Sequence, residues 1–182
     1  MSSVETVQLV KIPDNVDIKV TGRDVTVKGE KGTLTRDFSH TAISILSEGD
    51  TVIVKTSWPH KKEVALVGTV SSQIQNMIKG VTKGFTYKLK IVFSHFPITV
   101  KIREGSVAIE NFTGERNARI ARIMGDSKVS LKEDDIAVRG TNLDDVSQTA
   151  ANIEQATKIR RKDPRVFLDG IYIYERNEGM ES

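Results

Sequence analysis

The sequence contains no cysteine and no long hydrophobic run. The absence of cysteine excludes disulfides, thiolate zinc sites, iron–sulfur clusters and cysteine nucleophiles. No segment approaches the roughly 20 apolar residues that a membrane-spanning helix needs, so we expect no membrane partner. The opening residues, MSSVETVQLVKI, contain Glu5 and lack the apolar core of a signal peptide, so we expect no secretion.

The motifs of common enzyme classes are also missing. His40, His60 and His95 show no metal-ligand spacing, whereas a zinc site needs three or four ligands. The sequence has no phosphate-binding glycine loop, no G-x-G-x-x-G and no G-x-S-x-G. We therefore predict no enzymatic activity, no metal, no cofactor and no small-molecule substrate, and we predict that no histidine transfers protons.

Length and composition are those of a soluble globular protein. The 182 residues are 38% hydrophobic and 28% charged, which argues against disorder and leaves room for one large or two small domains. The net charge of +3 is a weak argument for a polyanionic partner. The cations cluster, however, in residues 158–165, in residues 79–90 and at Arg116, Arg119 and Arg122. Composition leaves open whether these clusters are a binding footprint or solvated charge.

The chain repeats itself once. Four pairs of segments correspond at shifts of 79 to 84 residues: 16–20 with 98–102, 25–28 with 107–110, 50–55 with 134–139, and 74–79 with 153–158. Shifts that drift by a few residues are what loop insertions after a duplication produce. We predict two domains, an N-terminal repeat over 1–93 and a C-terminal repeat over 94–182 that carries a basic tail.

Each repeat has the pattern of a small α+β domain. Alternating apolar and polar residues predict half-buried strands, and turns at 22–24 and 104–105 predict antiparallel hairpins. Apolar stripes predict helices over 61–81 and 144–161. We expect Asp144 and Asp145 to cap the second helix, Asp163-Pro164 to end it, and one strand to follow each helix, at 85–93 and 166–174. The predicted fold class is α+β, two duplicated small domains, each an antiparallel β-sheet with one helix packed on it.

The segment 155–176, QATKIRRKDPRVFLDGIYIYER, closely resembles the C-terminal signature of the large-subunit ribosomal protein L-six family, called L-nine in eukaryotes. The signature positions are met by Gln155, Ile159, Lys162, Arg165, Phe167, Asp169, Gly170, Ile171, Tyr172, Ile173 and Arg176. The IPDNV opening, the GEKG turn, the SQIQNMIKGVTKGFTYKLKIV stretch and the HFPI link look like the eukaryotic form.

The resemblance implies a structural constituent of the large ribosomal subunit without catalysis. It implies contact with large-subunit ribosomal RNA near the sarcin–ricin loop, where translation factors dock, largely through the C-terminal domain. It also implies neighbouring large-subunit ribosomal proteins as partners, and a cytoplasmic location with nuclear or nucleolar passage during assembly. The residues predicted to bind RNA are Lys158, Arg160, Arg161, Lys162, Arg165, Arg176, Lys83, Lys88, Lys90, Arg116 and Arg119.

Two of these clusters have competing explanations. Cations in the last helical turn complement the helix dipole, but that effect, about 0.3–1 kcal/mol each, accounts for one or two cations and not for the five in residues 158–165. Lys83, Lys88 and Lys90 around Tyr87 suit either stacking and charge contacts with single-stranded RNA or the guarded polar face of an edge strand.

The remaining signature residues are predicted to be structural. Phe167, Ile171 and Ile173 are expected in the core, and Asp169-Gly170 in a turn or bulge. Tyr172 and Tyr174 share the opposite face of the strand, where we expect them to be exposed. A non-ribosomal scaffold for protein interactions is the alternative function; in that case the basic runs only solvate the surface.

Overall fold

The computed structural model describes residues 5–57, 60–160, 163 and 165–180. The chain divides into two compact units, Met1–Lys83 and Gly84–Ser182, which we call the N-terminal and the C-terminal unit. Each unit has a hydrophobic core of its own.

The N-terminal unit consists of two three-stranded antiparallel sheets and one long helix. Its elements are β1 (Glu5–Lys11), β2 (Asp17–Thr21), β3 (Asp24–Gly29), β4 (Gly32–Asp37), β5 (Ser44–Glu48), β6 (Thr51–Ser57) and α1 (Lys61–Thr82). β3 lies between β2 and β4, and β6 lies between β1 and β5.

The C-terminal unit has the same plan with one more strand. Its elements are β7 (Phe85–Val92), β8 (Thr99–Arg103), β9 (Ser106–Glu110), β10 (Arg119–Arg122), β11 (Lys128–Lys132), β12 (Asp135–Gly140), α2 (Leu143–Ala156) and β13 (Gly170–Glu178). One antiparallel sheet has the order β8-β9-β10 and the other the order β11-β12-β7-β13. The predicted α+β class is confirmed.

The strand orders of the two units correspond, as an internal duplication requires. β2-β3-β4 matches β8-β9-β10, and β1-β6-β5 matches β7-β12-β11, so that β13 is the addition among the described strands. β7 is therefore the first strand of the second repeat, whereas the sequence pattern placed 85–93 at the end of the first. Because β7 pairs with β12 and β13, the boundary between the compact units lies after Lys83 and not after residue 93.

Both predicted hairpin turns are confirmed. Gly22 (φ 66°) lies between β2 and β3, and Gly105 (φ 70°) lies between β8 and β9. Glycine adopts this left-handed backbone conformation without the steric cost of a Cβ atom.

Helix α1 buries the stripe that its periodicity predicts. The buried apolar residues are Val67, Val70, Ile74, Met77, Ile78 and Val81. Leu66 was predicted in this stripe but is exposed, because it lies at the stripe's margin on the helix. No helix of the described residues is long and apolar enough to cross a membrane.

Helix α2 is shorter than predicted at its C-terminal end and has a different cap. It spans Leu143–Ala156, and its N-cap is Asn142, whose side-chain oxygen accepts a hydrogen bond from the Asp144 N–H (3.1 Å). Asp144 and Asp145 lie in the first turn, where their charge complements the helix dipole. Asparagine is as good an N-cap as aspartate, which is why the pattern alone misplaced it.

The chain leaves α2 at Thr157, well before the predicted stop at Asp163-Pro164. The Thr157 hydroxyl donates to the carbonyl of Glu154 (3.0 Å) and accepts from the Ile171 N–H (2.9 Å), which ties the helix end to β13. Pro164 lies outside the described residues.

The last strand begins at Gly170 and not at residue 166, because a turn at Asp163 precedes it. The backbone N–H groups of Val166 and Phe167 both donate to the carbonyl of Asp163, at 3.1 and 3.0 Å. The Asp163 carboxylate accepts from the Arg165 N–H (3.0 Å), a local contact typical of aspartate in turns.

Two glycine-to-alanine changes in the N-terminal unit are expected to have opposite effects. A Cβ at Gly29 would lie 2.7 Å from Cγ2 and 2.8 Å from the carbonyl oxygen of Val81, so G29A should lower the free energy of unfolding by about 1–3 kcal/mol. A Cβ at Gly68, inside α1, would meet only Gln8, at 4.0 Å, so G68A should raise it by about 0.5–1 kcal/mol. Urea denaturation of both variants measures the two shifts; equal signs would contradict the packing described.

Candidate nucleic-acid interface

The segment after α2, residues 157–169, carries the densest cluster of predicted RNA contacts, and we call it the post-helix segment. Lys158 and Arg160 are exposed and follow the helix instead of forming its last turn. Among the described residues neither side chain has a hydrogen bond or ion pair. Arg161 and Lys162 were predicted to bind RNA as well, and they lie outside the described residues.

Arg165 is strongly exposed, with 88% of its side chain accessible. Its guanidinium donates to both carboxylate oxygens of Asp163, with Nε–Oδ1 at 3.2 Å and Nη2–Oδ2 at 3.0 Å. The side-chain and backbone hydrogen bonds from Arg165 lower the pKa of Asp163. The pair is held in one orientation at the surface, and it leaves Arg165 open to solvent.

Arg119 fixes the start of the post-helix segment. Its Nε and Nη2 atoms donate to the two carboxylate oxygens of Glu115, at 2.9 and 2.6 Å. Its Nη1 atom donates to the carbonyls of Ala156 (2.8 Å) and Lys158 (3.4 Å), and its guanidinium lies 4.3 Å from the ring centroid of Phe112. These contacts give Arg119 a structural role at the end of α2. Arg116 and Arg122 are exposed.

The cluster of Lys83, Lys88 and Lys90 is divided between the two units. Lys83 follows α1 in the N-terminal unit, and the other two lie on β7 in the C-terminal unit. On β7, Lys88 pairs with Glu175 (3.0 Å) and Lys90 with Asp135 (3.2 Å). The edge-strand explanation is wrong, because β7 lies between β12 and β13.

Arg176 and the tyrosines of β13 lie at the surface, where strand alternation had placed the two tyrosines. Tyr172 and Tyr174 are 44% and 54% exposed, while Ile171 is fully buried. The guanidinium of Arg176 lies 5.7 Å from the ring centroid of Tyr87, on the neighbouring strand β7. Tyr87 is thus partly covered by Arg176, and its ring is less open to a stacking base than the lysines around it in the sequence suggested.

Asp169, which the sequence pattern placed only in a turn or bulge, is a buried carboxylate that anchors the end of the post-helix segment. Asp169 is 2% exposed, and one of its oxygens accepts from the backbone N–H groups of Ser94 (2.5 Å) and His95 (3.1 Å). Its other oxygen accepts from Nδ1 of His95 (2.6 Å), whose ring stacks on Phe167 with 4.7 Å between centroids. The residues are more than 70 positions apart in the chain, so no local motif connects them.

The environment of Asp169 favours its charged form. Burial acts to raise the pKa of this carboxyl, but the hydrogen bonds from Ser94, from the His95 backbone and from the His95 ring outweigh burial and lower the pKa to about 2. Asp169 is therefore a structural anion that holds residues 94–95 against the entry to β13. Within the described part of the chain, no group of three His, Asp or Glu residues is placed to hold a metal ion.

The two units share one duplicated α+β plan, and exposed cations follow the second helix. The family model described as Ribosomal protein L6 matches the chain twice, over residues 12–84 and 96–170, once for each repeat. The large ribosomal subunit protein uL6 of Desulfurococcus amylolyticus is 51% identical over 174 residues, 94% of this chain and 95% of the relative. That of Staphylothermus marinus is 53% identical over 173 residues, 93% of this chain and 94% of the relative. That of Aeropyrum pernix is 49% identical over 174 residues, with 95% and 96% covered.

The chain belongs to the ribosomal protein L6 family. The resemblance carried by residues 155–176 is thereby confirmed. The family consists of structural ribosomal proteins, so the prediction that the chain is not an enzyme is confirmed as well, and the alternative of a non-ribosomal scaffold is set aside.

Proposed function

We propose that this chain binds large-subunit ribosomal RNA chiefly through the post-helix segment of its C-terminal unit. As a member of the L6 family it is a structural constituent of the large ribosomal subunit. The observation that carries the finer proposal is the exposure of Lys158, Arg160 and Arg165 within eight positions, with Lys158 and Arg160 unpaired among the described residues.

The ion pairs within the protein favour the post-helix segment over the other predicted RNA contacts. Lys88, Lys90 and Arg119 are neutralised by carboxylates of the protein. In the post-helix segment Arg165 is paired as well, with Asp163, but 88% of its side chain stays accessible, and Lys158 and Arg160 have no partner among the described residues. Neighbouring unpaired cations repel one another, and that repulsion is relieved when phosphates bind and release their counterions. Arginine also contacts phosphate through two parallel hydrogen bonds. Arg161 and Lys162, which lie outside the described residues, and the exposed Arg176 stay predicted RNA contacts. Lys83 and Arg116 are proposed as secondary contacts.

The finer aspects of the ribosomal role are proposals that the family resemblance supports. They are contact near the sarcin–ricin loop, where translation factors dock, and contact with neighbouring large-subunit proteins. Residence in the cytoplasm follows from membership of the ribosome, and passage through the nucleolus during assembly stays a prediction drawn from the eukaryotic form. The relatives described above are archaeal.

Removing three cations of the post-helix segment is expected to weaken RNA binding and its salt dependence together. The variant K158A/R160A/R165A should lose affinity for refolded large-subunit ribosomal RNA on the order of 10- to 100-fold at about 100 mM salt. The slope of log K against log salt should fall by about 1 for each phosphate that the variant no longer neutralises. Filter binding at several salt concentrations measures both quantities.

The matched control removes three exposed lysines of the N-terminal unit, in the variant K19A/K28A/K31A. Both triple variants change the net charge equally, so a difference between them reflects position and not total charge. All six side chains are at the surface, where substitutions usually cost under about 0.5 kcal/mol of stability. Equal losses of affinity in the two variants would mean diffuse electrostatic binding and would refute the proposed surface.

A further inference from the structure

A cavity of about 410 Å³ opens beside the C-terminal end of α2. Its apolar walls are Ile159, Phe167 and Tyr172, and the side chains of Gln155 and Lys158 lie at its lining as well. The volume is within the range of sites that hold a small flat ligand, about 300–1,000 Å³. The structural roles described above account for the neighbouring contacts but leave this space unexplained.

Tyr172 is held in place on one side of the cavity before any ligand arrives. Its hydroxyl donates to the carbonyl of Leu168 (3.0 Å). Its ring lies against Gly170, where a Cβ atom would be only 3.1 Å from the ring carbon Cζ and 3.1 Å from the hydroxyl oxygen. The missing side chain at position 170 therefore lets the ring take this position.

Phe167 is fixed by a chain of contacts that ends in the buried carboxylate. Its ring stacks on His95 with 25° between the ring planes, and His95 is bound to Asp169. Two aromatic rings of the cavity are thus ordered by the protein itself. A ligand that stacks on them does not have to order them, which lowers the entropic cost of binding.

The polar groups of the cavity divide into occupied and open ones. Glu154 accepts from the Ile173 N–H (3.1 Å), and the Thr157 hydroxyl is used in its two contacts at the helix end. Gln155 and Lys158 have exposed side chains without a hydrogen bond or ion pair among the described residues. The amide of Gln155 offers one donor group and one acceptor, and Lys158 offers a positive charge.

We propose that this cavity receives one unpaired base of ribosomal RNA. The base stacks on Tyr172, the Gln155 amide meets its hydrogen-bonding edge, and Lys158 and Arg160 contact the phosphates on either side. This inference rests on the proposed function and names the chemical group that its surface takes. Aromatic walls beside unpaired cations complement a base joined to phosphates, and unstacked bases are what proteins read in single-stranded RNA.

The test compares two tyrosines of the same strand. Y172L is expected to weaken binding to refolded large-subunit ribosomal RNA about tenfold, because leucine remains apolar but has no ring plane on which a base can stack. The salt slope should stay unchanged, since the cations that bind phosphates are all retained. Y174L is the matched control, because Tyr174 lies on β13 with similar exposure and does not line the cavity. Its affinity should stay within twofold of that of the unmodified chain.

Chemical footprinting of the unmodified chain supplies a second readout, and this measurement does not depend on the folding of a variant. On the unmodified chain, one unpaired base should be protected from base-specific reagents. Q155A, at an exposed position of α2, should expose that base while the protection of the neighbouring sugar–phosphate backbone persists. Thermal unfolding followed by circular dichroism confirms that each variant is folded.

The outcomes separate this inference from the function on which it rests. If Y172L and Y174L bind equally well, or if no unpaired base is protected, the cavity takes no base, while the triple charge variant still decides the interface. A fall of the salt slope in Y172L to that of K158A/R160A/R165A would also overturn the inference, because it would show that Y172L binds fewer phosphates. If the triple charge variant binds as tightly as the unmodified chain, the proposed function itself is wrong.

Discussion

Replacing Asp169 with alanine is expected to lower the free energy of unfolding of the C-terminal unit by roughly 3 kcal/mol. The change removes the acceptor for two backbone N–H groups, those of Ser94 and His95, and the partner of the His95 ring. Hydrogen bonds to a charged acceptor contribute more than neutral ones, and donors left without a partner add a desolvation penalty. Urea denaturation followed by tyrosine absorbance measures the loss, because Tyr87, Tyr172 and Tyr174, the chain's three tyrosines, all lie in this unit.

Two further variants show which property of Asp169 matters. D163A removes a carboxylate of the same segment that is exposed and bonded only locally, so its cost should be a small fraction of that of D169A. D169N keeps an acceptor oxygen and removes the charge, so its cost should fall between the other two. If D169A proved no more costly than D163A, the anchor described for Asp169 would be wrong.

The same carboxylate predicts a stability that depends on pH at the acid end. The pKa of Asp169 is about 2 in the folded chain against an ordinary value of 3.8, so its contribution is complete above about pH 4 and is lost as the pH falls through 2. One pKa unit corresponds to about 1.4 kcal/mol, which makes the full contribution about 2–3 kcal/mol. The difference in unfolding free energy between the unmodified chain and D169N should therefore shrink by about that amount as the pH falls from 4 to below 2.

Local patterns were enough to predict the fold class, both hairpins and the buried side of each helix. The reason is that strand alternation, turn glycines and helical stripes are short-range consequences of burying one face of an element. The position of β7 depends instead on pairing between distant strands. An apolar, alternating segment after a helix suits the end of one repeat as well as the beginning of the next. Only the pairing of β7 with β12 and β13 assigns it to the second repeat.

The candidate site shows the same division between local and distant information. Exposure of Tyr172 and Tyr174 followed from alternation along the strand. The ends of α2 and β13 did not, because the chain leaves the helix where Thr157 bonds to Ile171, a contact across 14 positions. The anchor at Asp169 spans 74 positions to His95, and the occupied donors of Arg119 reach 37 positions to Ala156. Sequence patterns therefore indicated which cations were present but not which of them form ion pairs with carboxylates of the protein.

Truncating one isoleucine in each helix is expected to destabilise the two units separately. Ile74 of α1 and Ile153 of α2 correspond in the repeat, and both are fully buried, in two different cores. Replacing either with alanine should lower the free energy of unfolding of its own unit by about 3–4 kcal/mol, because apolar burial is reduced and a cavity is left behind. Amide hydrogen exchange of the α1 residues in urea reports on the N-terminal unit, and tyrosine absorbance reports on the C-terminal unit.

The double variant tests whether the two units unfold independently of each other. Because the two isoleucines share no core, I74A should shift only the transition of the N-terminal unit and I153A only that of the C-terminal unit. The double variant I74A/I153A should show both shifts at their single-variant sizes, within about 0.5 kcal/mol. V64A and Q148A, at exposed positions of α1 and α2, should change either transition by less than about 0.5 kcal/mol. A shift of both transitions by one isoleucine variant would show that the units unfold as a single cooperative body. Two independent shifts of similar size would instead mean that each repeat has a core that unfolds by itself.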